Sequence, residues 1–119
     1  MIVSRRALAP IDFHGLEILD YTAREKLGSS FAVIDVPADA KHPEAFSLRS
    51  DKYYFVVQGS LEFTLNDERF DLESNDLCIV PKGKKFSYSN RTAAPARVIL
   101  VHTPSFETES EKFVEENLA

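Results

Sequence analysis

The chain predicts an all-β fold, a single barrel or sandwich, and three observations lead there. Short apolar segments recur at intervals of about ten residues, separated by turn-forming residues, which is the spacing of small β barrels and sandwiches. Several segments alternate, Leu61, Phe63 and Leu65 against Glu62 and Thr64, so one side of the sheet faces a core and the other faces water. A helical pattern is found only near the C-terminal end.

Taken in order, the predicted strands are residues 15–19, 30–36, 46–48, 53–57, 60–65, 69–72, 77–80, 85–88 and 97–102. Between them stand Pro37-Ala38-Asp39, Gln58-Gly59, Asn66-Asp67-Glu68, Ser74-Asn75-Asp76, Pro81-Lys82-Gly83 and residues 90–95, each with residues that accept turn geometry. Past the last strand, Thr108 precedes Glu111 by three residues in a capping-box pattern. Phe113, Val114 and Leu118 offer a modest apolar face, so a short C-terminal helix is expected there. No internal repeat or linker is visible.

Composition sets the bounds. At 119 residues the chain has room for one hydrophobic core, and one domain over residues 1–119 is expected. Hydrophobic residues make up 44% and charged residues 28%, as in an ordinary globular protein. The formal net charge of -5 is the opposite of a nucleic-acid binder's balance, and Lys82, Lys84 and Lys85 read as a solvated turn. No apolar run approaches a spanning helix and residues 1–10 carry no signal-peptide core, so a cytoplasmic protein without membrane or nucleic-acid partners is expected. Cys78 stands alone, which precludes an internal disulfide and a thiol-rich zinc site. Its apolar run, Leu77-Cys78-Ile79-Val80, marks it as a small buried residue.

Within this framework two stretches resemble the paired motifs of the cupin family. Residues 53–65, with Gly59 at the final position, resemble the first motif, G-x5-H-x-H-x3,4-E-x6-G. Residues 75–90 resemble the second, G-x5-P-x-G-x2-H-x3-N, with Pro81, Gly83 and Asn90 at its spacings. Asn75 replaces a glycine, which Asn can do because it tolerates positive φ. The resemblance implies a cupin jelly-roll barrel, the double-stranded β-helix. It also places Phe46, Leu48, Lys52 and Phe86 where a cupin carries its metal ligands, so no metal and no other cofactor is expected. His14, His42 and His102 lie on separate segments without ligand spacing.

Barrel strands point alternate residues inward, so those positions set the parity of each strand. Phe46, Leu48, Lys52, Tyr54 and Val56 are expected to face inward, with Phe86 and Tyr88 opposite. A regular strand upstream adds His42 and Glu44. The result is a cavity with aromatic walls and a few polar groups, the usual constitution of a small-molecule site.

Residues 42–59, with Arg49-Ser50 and Tyr54-Phe55-Val56-Val57, are also similar to the small metal-independent cupin dehydratases that make 3'-deoxy nucleosides for uridyl-peptide antibiotics. That resemblance implies a catalytic role for His42, pocket roles for Tyr54 and Tyr88, and a pocket carboxylate at Glu107 or its neighbour Glu109. Phe13, ahead of His14-Gly15, stands where that family has a pocket lysine.

Two functions of different class follow. One is a metal-independent lyase (dehydratase) or isomerase that takes a proton from the carbon next to a carbonyl of a sugar- or nucleoside-like substrate. His42 would be the base, Tyr54 and Tyr88 the hydrogen-bond donors, and Lys52 a partner for an anionic group or an acid. Phe46, Phe86, Glu44 and Glu107 would complete substrate binding. The other is a non-catalytic cupin that keeps its cavity to bind a small molecule. A monomer or homodimer fits either function.

Overall fold

The computed structural model describes residues 1–114, and the fold is built almost wholly of antiparallel strands. In chain order they are β1 Ile11–Phe13, β2 Leu16–Asp20, β3 Ser30–Val36, β4 Lys41–Ser47, β5 Asp51–Gln58, β6 Leu61–Leu65, β7 Glu68–Leu72, β8 Leu77–Val80, β9 Phe86–Ser89, β10 Ala96–Thr103 and β11 Glu111–Phe113. They form a six-stranded sheet in the order β1-β2-β3-β10-β5-β8 and a five-stranded sheet in the order β11-β4-β9-β6-β7. This is the jelly-roll arrangement: two sheets face each other and enclose one core between them.

Alternation places that core. On β5 the side chains of Lys52, Tyr54 and Val56 are buried while their neighbours are more exposed. On β10 the same holds for Ala96, Val98, Leu100 and His102. The inward faces bring Leu16, Ile34, Val36, Val56, Phe63 and Val98 into one cluster, each at most 2% exposed. Cys78 joins it from β8, and burial pushes its thiol up to about 11, so it is an inert packing residue as expected.

The turns explain the motif glycine and its substitute. Gly59 has φ +81, and a Cβ there would lie 2.9 Å from the Ala96 Cα, a distance that side chains do not adopt. Asn75 takes φ 75, the left-handed conformation its motif position requires. Asn90, the last motif residue, is fully buried. Its amide donates to the carbonyls of Val36 (3.0 Å) and Ala94 (2.8 Å), and its oxygen accepts from the Thr92 N–H at 2.9 Å, so it ties two loops together.

Each predicted segment contains a strand, and three features differ from the sequence reading. The short β1 was not foreseen. The segment expected at residues 46–48 is the longer β4, which starts at Lys41 and ends at Ser47. The expected C-terminal helix is replaced over the described residues by a single 3-10 turn, Thr108–Ser110, followed by β11 paired with β4. The open edge of β4 competes with the capping box and wins, because strand addition satisfies backbone groups that an isolated helical turn would leave to water. Leu118, the outer residue of that helical pattern, lies outside the described residues. No helix among them is long and apolar enough to cross a membrane.

Candidate active site

A cavity of about 410 Å³ lies between the sheets, toward the end where β3 and β5 begin and β10 finishes. Strand pairing decides what enters it. Lys52 on β5 sits opposite His102 on β10, and both side chains point inward. Tyr54 follows two residues on, and Tyr88 enters from β9 of the other sheet. On β4, His42 pairs with Tyr88 and faces the same space. Ile11 and Phe106 line the cavity too and are 50% and 41% exposed, so they stand at its rim.

His42 is set in aromatic surroundings. Its ring centroid lies 5.1 Å from Phe13, 5.0 Å from Phe86, 5.1 Å from Tyr88 and 6.3 Å from Phe113. Its Nδ1 is 2.7 Å from the Pro43 carbonyl oxygen. A carbonyl only accepts, so Nδ1 carries the proton and Nε2 keeps a free lone pair. Burial lowers the imidazole to about 4 and outweighs the backbone hydrogen bond, so the ring is neutral at neutral pH.

Tyr54 and Tyr88 approach each other with ring centroids 5.4 Å apart, and Phe63 packs against both. Burial raises both phenols far above their ordinary range, which keeps them protonated as donors. The Tyr88 hydroxyl is buried and has no hydrogen-bond partner among the described residues.

Lys52 is 4% exposed. Its ammonium is ion-paired with Glu111, 10% exposed, and lies 4.7 Å from the centre of the Phe86 ring. Desolvation pulls the ammonium below its ordinary value, against the upward pull of Glu111. Glu111 reaches this point because β11 pairs Glu111 with Ser47, on the inward face of β4. Its second oxygen, Oε2, is buried and unpartnered among the described residues, as is Nε2 of His102. Burial first, and then the Lys52 charge, lowers His102 to about 3.

Several sequence-stated positions are corrected here. Phe46 and Leu48 do not line the cavity: Ala45 and Ser47 take the inward places, and Leu48 is 58% exposed past the strand end. The cause is a bulge, since His42 pairs with Tyr88 but the next pair is Ala45 with Phe86, three residues on β4 for two on β9. Pro43, which has no N–H to give a ladder, sits in the bulge. His42 therefore points in, and the parity downstream is reversed. Glu44, within the bulge, is half-buried and is not among the cavity's lining residues. Glu107 pairs with Arg49 at 3.4 Å on the surface and Glu109 is exposed, and neither lines the cavity; its carboxylates are Glu111, paired with Lys52, and Asp20, which accepts from Thr22.

Lys52, Tyr54, Tyr88 and His42 line the cavity where the sequence put them, whereas Phe86 is buried and inward-facing but does not line it, because His42 and the Lys52 ammonium cover its ring. Phe13 lines the cavity at the position the dehydratase resemblance marked, and His102, Glu111, Phe106 and Phe113 join unforeseen. His102 was legible by parity, because Val98, Leu100 and His102 alternate along one strand. The donor set does not suit a transition metal. Among the described residues no three His, Cys, Asp or Glu side chains converge as ligands, and a fixed ammonium sits beside the buried carboxylate.

Comparison with known proteins bears on the fold. The sequence profile of the cupin domain matches residues 32–102. Tetracenomycin polyketide synthase protein TcmJ of Streptomyces glaucescens is 36% identical over 55 residues, which are 46% of this chain and 37% of that protein. The inner kinetochore subunit cnp3 of Schizosaccharomyces pombe is 29% identical over 86 residues, 71% of this chain and 13% of that one. The chain thus matches a minor part of both relatives. Among solved structures, Streptomyces Pac13, a nucleoside dehydratase, superposes with a TM-score of 0.84 at 23% identity, covering 96% of this chain and 90% of Pac13. The Schizosaccharomyces pombe Cnp3 cupin domain superposes with a TM-score of 0.74 at 23% identity, covering 85% of this chain and 72% of that domain. At such identities the likeness is one of fold.

Proposed function

The chain belongs to the cupin domain family, and we infer that it is a metal-independent lyase, a dehydratase, or an isomerase that removes the proton next to a carbonyl of a sugar- or nucleoside-like substrate. The observation that carries this reading is His42: a neutral imidazole with Nδ1 committed to the Pro43 carbonyl and Nε2 bare, set in the wall of a substrate-sized cavity. Three buried polar atoms without partners, the Tyr88 hydroxyl, His102 Nε2 and Glu111 Oε2, belong to residues of the same cavity, which favours a ligand that brings its own hydroxyl and carbonyl groups. The fold shared with the nucleoside dehydratase Pac13 supports the same choice.

In this scheme Tyr54 and Tyr88 hydrogen-bond to the carbonyl oxygen as negative charge builds on it, while Nε2 of His42 takes the α proton. The resulting imidazolium is a strong acid in this apolar wall and gives its proton to the departing β-hydroxyl. The balance is substrate to unsaturated carbonyl product plus water. Returning the proton to carbon instead gives isomerisation. Lys52 needs no anionic group on the substrate, since Glu111 already neutralises it.

The test is to incubate the protein with aldehyde and keto derivatives of sugars and nucleosides. Mass spectrometry then follows loss of water, and proton NMR follows deuterium uptake at the α carbon. Absence of both across the panel would sink the catalytic reading. One observation favours the second reading, a non-catalytic binding cupin: among the described residues His42 makes no hydrogen bond to a carboxylate or tyrosine that would tune it as a base. A ligand retained by the protein without exchange or elimination would establish that role.

A further inference from the structure

A lysine buried to 4% exposure inside an aromatic cavity requires a reason, because taking an ammonium out of water is costly even when it is paired. Lys52 lines the cavity together with His42 and His102, and its charge acts on both imidazoles. Its counter-ion Glu111 lines the same cavity, and the buried, unpartnered Oε2 leaves that carboxylate free to carry a proton. Amine, proton acceptor and α-proton base therefore border one substrate-sized space.

We propose that Lys52 anchors the carbonyl substrate covalently, forming an imine through Nζ with Glu111 as its proton shuttle. This rests on the carbonyl substrate inferred above. The ammonium gives a proton to Glu111, and the freed nitrogen pair adds to the carbonyl carbon while the C=O π pair moves to oxygen. A proton passes from that nitrogen to the oxygen, leaving a neutral carbinolamine. Glu111 returns its proton to the carbinolamine hydroxyl, the C–O bond breaks, water leaves, and the nitrogen pair closes the C=N bond. One carbonyl and one ammonium have become one iminium and one water, beside a restored carboxylate. The positive charge returns to the same nitrogen as the carboxylate is restored, and the sum over Lys52, Glu111 and the carbonyl is zero at every stage. An iminium also acidifies the adjacent carbon more than a neutral carbonyl does, which suits a base as weak as His42. Removal of the α proton then leaves a neutral enamine in place of an enolate, and the hydrogen bonds of Tyr54 and Tyr88 to the carbonyl oxygen then serve its addition and departure as water.

The experiment treats the full chain with glyceraldehyde and sodium cyanoborohydride and locates the reduced adduct by intact mass and peptide mapping. Lys52 is expected to be alkylated roughly tenfold or more faster than the exposed Lys82, Lys84 and Lys85. Labelling of the surface lysines with Lys52 untouched would overturn the proposal. The double variant Lys52→Met, Glu111→Leu leaves no lone buried charge and is expected to lose the fast adduct; an adduct formed as fast elsewhere in that variant overturns the assignment. Glu111→Gln keeps the amine and is expected to slow alkylation of Lys52 by roughly tenfold, and an unchanged rate removes Glu111 from the step. The two readings fail separately. Deuterium exchange by the native chain without any Lys52 adduct overturns the imine and spares His42 as base. A Lys52 adduct without exchange supports the amine and refutes the base.

Discussion

The two ends of this barrel treat buried polar groups in opposite ways. At one end Asn90, fully buried, spends its amide and its oxygen on the backbones of the loops around it. At the other, Tyr88, His102 and Glu111 each keep one buried polar atom without a partner around a cavity of about 410 Å³. A buried polar group that holds the fold is satisfied by the fold, since leaving it bare costs ~1–3 kcal/mol. A cluster of bare ones marks the place where something else is meant to bind. The difference separates the structural from the functional half of a molecule whose two ends are built from the same strands.

The largest effect expected concerns the cavity. His42→Gln preserves size and some hydrogen bonding but removes the base, and turnover should fall by ~100- to 10,000-fold, read on whichever carbonyl substrate is found. Undiminished turnover would remove His42 from the chemistry. In the native protein the acid limb of kcat/KM should fall near pH 4 and not near the ordinary histidine value of 6.5, because burial holds the ring neutral.

At the structural end, Asn90→Ala should destabilise the fold by on the order of 3 kcal/mol, since it strands the buried Val36 carbonyl together with loop groups that have no substitute partner. Urea unfolding with an unchanged m-value would measure it. A loss under about 0.5 kcal/mol would erase the contrast between the two ends.

Acid should act through the cavity. His42 and His102 have folded values of about 4 and about 3 against 6.5 for a free histidine, so the unfolded chain binds protons first as the pH drops. Stability is whole above pH 6.5 and is lost on the way down, by up to ~1.4 kcal/mol per pH unit for each histidine. Denaturant midpoints between pH 7 and 4 test this, and His102→Gln should flatten the slope. A slope unaltered in that variant would mean that His102 is not held neutral by the fold.

The smallest effect is the most discriminating. Tyr88→Phe removes a hydroxyl that the folded protein does not use, so stability should change by less than about 0.5 kcal/mol. Ligand binding or turnover should nonetheless weaken, by the ~0.5–1.5 kcal/mol of one hydrogen bond. A marked loss of stability with no functional change would place Tyr88 on the structural side.

Much of this molecule was written locally. Turn residues at regular spacing and the alternation of apolar side chains located the strands, and parity along β5 and β9 carried Lys52, Tyr54, Phe86 and Tyr88 to the interior without reference to anything distant. Parity would have found His102 as well. It failed at β4, because a bulge is a mismatch between two strands and leaves little trace in either one alone. His42 still faced inward, whereas Phe46 and Leu48 traded places with Ala45 and Ser47. Glu111 lay beyond any local rule. Its capping-box position spoke for a helix, and only the open edge of β4, brought near by the closing of the barrel, made it a strand residue facing Lys52. The sequence by itself determined the class of fold, the core and the two tyrosines of the cavity wall, since periodicity is a property of consecutive residues. The tertiary structure decided which charges meet inside, since register and edge pairing join residues that are close only after folding.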